Sequence, residues 1–235
     1  MAAPRAALRA LPALLATATV MAAQPDAAAL LAKVDRLRQP WPAFSADLAL
    51  VERGKETRWR LSVASDGDTR LDGLTAKEKG RAVLMKGERM WLLTPGSKRA
   101  IPVTPQQRLV GSAAGGDLAR LKLAGDFEPA GIQEADLEGA PCWRIELAAR
   151  RPSVPYRRAV LWVRREGELP RAVDFYFASG KLAQTVRFDP PVRVEGRPFI
   201  AGLTLGDPKH PAQAQMRLSA VTVGEPDPTR FQIPR

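Results

Sequence analysis

From Phe44 onward the chain keeps a two-residue rhythm of apolar and polar positions. Trp59, Leu61 and Val63 alternate with Arg58, Arg60 and Ser62, the pattern of an antiparallel strand buried on one face. Trp143, Ile145 and Leu147 alternate with Arg144 and Glu146. Val173, Phe175 and Phe177 share a face, and Val186 and Phe188 flank Arg187. Further strands are predicted over residues 90–93, 101–103 and 158–164, with a short terminal strand over 231–233. Met216, Leu218 and Ala220 share a face, after which Val221 and Val223 switch parity; this predicts a bulge or strong bend near Ala220. Polar-Gly pairs such as Glu138-Gly139 and Glu195-Gly196 punctuate the strands, because glycine supplies the positive φ of tight hairpin turns. Strands joined this way form a meander with few long crossovers.

Two stretches depart from this rhythm. Residues 25–39 place Leu30, Val34 and Leu37 at helical spacing, with Asp26 available as a cap and Pro40 and Pro42 as stops. A helix with a single apolar stripe packs on something larger. Residues 106–116 form a soft, small-residue segment carrying Leu109 and Val110, after which Asp117 is placed to cap a short helix bearing Leu118 and Leu121. A long meander must also protect its edges, and curling into a barrel or half-barrel does so. The predicted fold is mainly β, an antiparallel barrel or half-barrel. The N-terminal helix and a lid containing Leu109, Val110, Leu118 and Leu121 lie over an apolar cavity. Trp59, Leu61, Trp91, Leu93, Trp162, Phe175 and Phe177 are the candidate cavity residues, and ordinary core packing accounts for the same pattern.

The stretch MWLLTPGSKRAIPV, the later RLVGSAAGGDLARLKLAGDFEP and the strands that follow resemble the LolA-like, outer-membrane lipoprotein-sorting family of bacterial periplasmic proteins. The resemblance rests on Gly111-Ser112, Asp117-Leu118, Leu169-Pro170 and the turn Ser179-Gly180-Lys181. Where many relatives have an aromatic pair before the Asp-Leu, this chain has Ala113 to Gly116. The resemblance implies a mainly β fold, an unclosed antiparallel β-barrel (half-barrel) with a helical lid over the apolar cavity. It also implies carriage of lipoprotein or lipid acyl chains from an inner-membrane exporter to an outer-membrane acceptor, without a cofactor and without catalytic residues. An envelope-stress regulator built on a similar half-barrel is the alternative reading.

The beginning of the chain reads as an export signal. Arg5 and Arg9 precede the apolar run from Leu11 to Met21, and small residues place cleavage near Ala22/Ala23. This divides the chain into a signal peptide, 1–23, and one half-barrel domain, 24–235. No Cys stands directly after the run, so a lipid attachment site is not expected there, and the mature protein is expected as a periplasmic monomer. The formal charge is +11; without Arg5 and Arg9 there remain 34 of the 36 basic residues against 25 acidic ones. Such a surplus favours anionic partners, and an exported protein is not expected to meet nucleic acid. Arg58, Arg60, Arg157 and Arg158 are candidate headgroup or partner contacts.

Candidate chemistry is sparse. The one His, His210, lies between Lys209 and Pro211, and the one Cys, Cys142, sits between Pro141 and Trp143. A zinc site needs clustered ligands, and a nucleophile needs a paired base. Asp126, Glu128, Glu134 and Asp136 fall around one strand-like segment, where solvated carboxylates look the same as an acid–base pair. No metal, cofactor or catalysis is expected.

Overall fold

The computed structural model describes residues 24–97, 99–104, 122–210 and 214–233. Helix α1, Ala27–Arg38, begins where the Asp26 carboxylate accepts the N–H of Ala28, as the sequence predicts. It buries Leu30, Leu31, Val34 and Leu37.

Six strands follow as a meander: β1 (Phe44–Glu52), β2 (Lys55–Val63), β3 (Thr69–Gly73), β4 (Ala82–Lys86), β5 (Arg89–Leu93) and β6 (Ile101–Val103). A short helix, α2 (Leu123–Asp126), opens the second half. It leads into β7 (Phe127–Leu137), β8 (Ala140–Ala149), β9 (Arg158–Arg164), β10 (Pro170–Tyr176) and β11 (Leu182–Phe188). A separate hairpin, β12 (Val192–Val194) and β13 (Arg197–Phe199), precedes β14 (Gly202–Gly206) and β15 (Ala214–Val223).

Among the described residues thirteen strands form one antiparallel sheet in the order β6-β5-β4-β3-β2-β1-β15-β14-β11-β10-β9-β8-β7. The first meander runs outward from β1 to the edge β6. The chain then passes to the opposite edge, β7, and the second meander returns until β15 pairs with β1. Among the described residues the sheet is not closed, and β6 and β7 are its two ends. At the hairpins β1–β2, β7–β8 and β12–β13 the residue before glycine also has positive φ (Arg53 50°, Glu138 54°, Glu195 47°), which matches the strand twist. The predicted irregularity near Ala220 is present. The β1–β15 register shifts between Ser45 and Asp47, and Ala220 has a φ of 48°.

Two predictions at strand ends fail. Phe177 lies beyond β10, after a register shift between Phe175 and Tyr176, and is 42% exposed. The expected terminal strand is a 3-10 turn, Pro228–Phe231, capped by Asp227. Phe231 packs with Ala64 and Leu84 there, so side-chain burial holds the segment in place of a strand ladder.

Candidate functional site

Alternation decides which residues meet inside the curl. Leu48 and Phe44 from β1, Trp59, Leu61 and Val63 from β2, and Val83 and Met85 from β4 join one apolar cluster. Trp143, Ile145 and Leu147 come from β8, Leu161 and Val163 from β9, Val173 and Phe175 from β10, and Met216 and Leu218 from β15. Leu30, Leu31, Val34 and Leu37 of α1 belong to the same cluster, so the helix packs into the concave face. Trp41, Phe44 and Phe199 form an aromatic group with centroids 5.3–6.4 Å apart. Tyr156 stacks on Phe175 at 4.7 Å and Phe127 lies 6.0 Å from the same ring. Rings at these spacings add edge-to-face and offset-stacked attraction to their area burial.

The residues singled out from the sequence do not share one face. Trp59, Leu61 and Phe175 lie in the concave cluster. On β5 the concave positions are Met90 and Leu92, whereas Trp91 and Leu93 pack on the opposite side against Ala64, Leu84 and Phe231. On β9 the concave positions are Ala159, Leu161 and Val163. Trp162 points the other way, where its Nε1 donates to Asp174 at 2.9 Å and Arg144 lies over its ring. Phe177 is displaced by the irregularity at the end of β10. The lid residues Leu109, Val110, Leu118 and Leu121 lie outside the described residues, as do Gly111, Ser112, Asp117 and the segment 1–23.

The four candidate headgroup arginines all have partners within the chain. Arg58 pairs with Glu56 at 2.6 Å and Arg60 with Asp47 at 3.1 Å. Arg157 donates to the carbonyls of Arg151 and Pro152, and Arg158 stacks over Tyr176 at 4.8 Å. Exposed pairs of this kind exchange readily with solvent and still present positive charge.

A polar clamp that the strand pattern does not reveal joins α1 to α2. The Asp35 carboxylate accepts the N–H groups of Leu123 and Ala124 at 2.7 and 2.9 Å. Burial pushes its pKa up to about 6 and outweighs the two backbone donors, which act in the opposite direction. One turn along the helix, Arg38 is 5% exposed and donates to the Ile200 carbonyl at 3.1 Å; burial lowers its pKa to about 10. From the far side Arg150 donates to the carbonyls of Ala124 and Phe127, and Arg151 to Gly125 and Asp126. Charged side chains thus hold both ends of the four-residue helix α2. Asp35 sits between the apolar positions of α1, so the sequence marks it only as a solvated helix residue.

A groove of about 1090 Å³ opens on the convex face, its lining including Arg70, Lys86, Leu93, Pro228, Phe231 and Ile233. Its cations are engaged: Arg70 binds Asp72, which Arg230 also binds, and Lys86 binds Asp68. His210 lies in a turn with Asp207, whose acidity is raised chiefly by the backbone N–H of Lys209. Cys142 is buried, and burial raises its thiol pKa. Among the described residues no group of three or more His, Cys, Asp or Glu is placed to hold a metal, and no helix is long and apolar enough to cross a membrane.

A protein-family model described as an uncharacterized protein matches residues 74–232. No curated protein matches the sequence. The fold is similar to that of a LolA superfamily protein from Nitrosomonas europaea, 24% identical, with a TM-score of 0.76 over 89% of this chain and 98% of that one. It is also similar to a domain assigned to outer membrane lipoprotein sorting from Vibrio parahaemolyticus, 12% identical, with a TM-score of 0.69 over 87% and 95% of the two chains. A DUF1329 family protein from Desulfovibrio piger is 15% identical, with a TM-score of 0.70 over the same shares.

Proposed function

The chain belongs to the uncharacterized-protein family of the model that matches residues 74–232, its fold is LolA-like, and we propose that it carries acyl chains of lipids or lipoproteins through the bacterial envelope. In this reading residues 1–23 are removed on export near Ala22/Ala23, and the mature protein works in the periplasm. It accepts cargo from an inner-membrane donor and passes it toward the outer membrane.

The observation that carries this reading is the sheet that stops short of closure around an apolar concave face. Leu92 and Ile101 are register partners on β5 and β6, so their side chains share that face. Leu92 is only partly buried and Ile101 is 50% exposed. Apolar surface at an open lip is where an acyl chain gains most, since each methylene removed from water contributes about 0.8 kcal/mol. Ordering of chain and cargo offsets part of that sum. The cargo contacts in this reading are Trp59, Leu61 and Phe175 from the sequence pattern, with Met90, Leu92 and Leu161 replacing Trp91, Leu93 and Trp162. Arg58, Arg60 and Arg158 supply positive charge for anionic headgroups. No step requires a cofactor or a nucleophile.

Native mass spectrometry of protein purified from the cell envelope without detergent, followed by solvent extraction, tests the reading. A stoichiometric phospholipid or acylated peptide is the expected result. An apo mass that persists after incubation with membranes and lipoproteins overturns it.

A further inference from the structure

Among the described residues the sheet ends in two edges, and they are built differently. β6 is three residues long and contains Pro102, so it offers few backbone donors. β7 runs for eleven residues and pairs only with β8 among the described residues. Glu128, Ala130, Gly131, Gln133, Glu134 and Asp136 are exposed along it. An exposed strand of this length is a template for pairing.

Which backbone groups face outward follows from two observations. The two-residue turn Glu138-Gly139 makes Leu137 and Ala140 the closing pair of the hairpin, so Leu137 points its N–H and C=O toward β8. Alternation then turns the backbone groups of Asp136, Glu134 and Ile132 away from β8. Independently, the Gln24 side-chain amide donates to the Ile132 carbonyl at 3.4 Å, which places that carbonyl on the open side. Ile132 is opposite Ile145 and Glu134 opposite Trp143, so the side chains of Ile132, Glu134 and Asp136 stand on the concave side of the edge.

The edge is also acidic. β7 carries Glu128, Glu134 and Asp136 and no cation, in a chain with 36 Lys and Arg against 25 Asp and Glu. Arg165 reaches Glu134 at 2.8 Å and Arg150 lies 3.6 Å from Glu128. Antiparallel pairing of two copies centred on Glu134 or Ala135 would set carboxylate against carboxylate, which disfavours self-association.

We propose that β7 is a strand-addition edge for an extended protein segment with Lys or Arg at alternating positions. The segment displaces the exposed Gln24 amide and bonds to the main chain of Ile132, Glu134 and Asp136, and two of its cations stand opposite Glu134 and Asp136. This edge is distinct from the concave apolar contacts, so it stands whether or not the protein carries acyl chains.

The test uses the whole protein, a synthetic peptide of alternating Lys and Thr, and the same peptide N-methylated at every second residue. The expected result is binding that slows amide exchange at 132, 134 and 136, and that N-methylation abolishes. Glu134→Lys with Asp136→Lys weakens it about tenfold while thermal unfolding stays unchanged. No binding, binding indifferent to N-methylation or to charge reversal, or a dimer in sedimentation that the charge reversal dissolves, each overturns the proposal.

Discussion

Trp59 and Trp91 both sit in strands, yet they belong to opposite sides of the sheet. Trp59 is in the concave cluster and Trp91 lies under the C-terminal segment on the convex side. Around Trp59 the convex positions are Arg58 and Arg60, both charged, so the inward face of β2 is unambiguous. Around Trp91 the strand reads Met-Trp-Leu-Leu, apolar on both faces, because Phe231 covers the convex side there. The sector β3–β5 is packed from both sides, whereas β8–β10 presents Arg144, Glu146, Trp162 and Asp174 outward as a ladder of ion pairs and ring contacts. A face can be read from sequence only where water lies on the other side.

The largest expected effect breaks the concave side. Phe175→Ala should lower unfolding stability by about 3–5 kcal/mol, from lost burial and an unfilled cavity, read from urea denaturation. If the concave face carries acyl chains, a milder Phe175→Leu should reduce their binding, whereas Trp91→Phe and Trp162→Phe should leave it unchanged. Equal losses in all three would remove the distinction between the faces.

Phe231→Ala tests the convex sector. It should cost about 3 kcal/mol, near the lower end for a buried aromatic. Emission that Trp91→Phe subtracts should shift to the red, while the contribution removed by Trp59→Phe should not move.

Asp35 gives a smaller, pH-dependent effect. Its folded pKa of about 6 lies above its unfolded value of 3.8, so the folded state holds the proton more tightly. Its stabilising contribution is complete below pH 3.8 and is lost as the pH rises through 6, a change of about 2 kcal/mol for a side chain that keeps some contact with water. Denaturant midpoints measured from pH 4 to 7 should show that Asp35→Asn flattens this slope. A variant with the wild-type slope would assign it to another group. The smallest effect is Trp162→Phe, which removes the bond to Asp174 and weakens the Arg144 contact, for about 1 kcal/mol by thermal unfolding.

Much of the fold was legible because it rests on local signals. The cap at Asp26, the glycine hairpins, the strand from Arg158 to Arg164 and the bulge at Ala220 each follow from a few neighbouring residues. The candidate site was legible only in part. Leu61 and Phe175 alternate with polar neighbours and lie where the pattern put them. Phe177 continues that alternation in sequence, but the register shift at the end of β10 removes it from the face. The Asp35 clamp joins residues 88 and 89 positions apart, and the arginines of 150–157 bind carbonyls that are ordinary in sequence.

The sequence by itself determined that the chain forms antiparallel hairpins with one amphipathic helix, since period and turn chemistry act over a few residues. It also determined that the sheet has a dry side wherever polar positions mark the wet one. Only the tertiary structure decided that the two meanders meet at β1 and β15 and leave β6 and β7 as ends. The same holds for the burial of both faces of β5 and the raised pKa of Asp35. Those outcomes depend on what packs across the molecule, where the free energy of burial is set by neighbours distant in the chain.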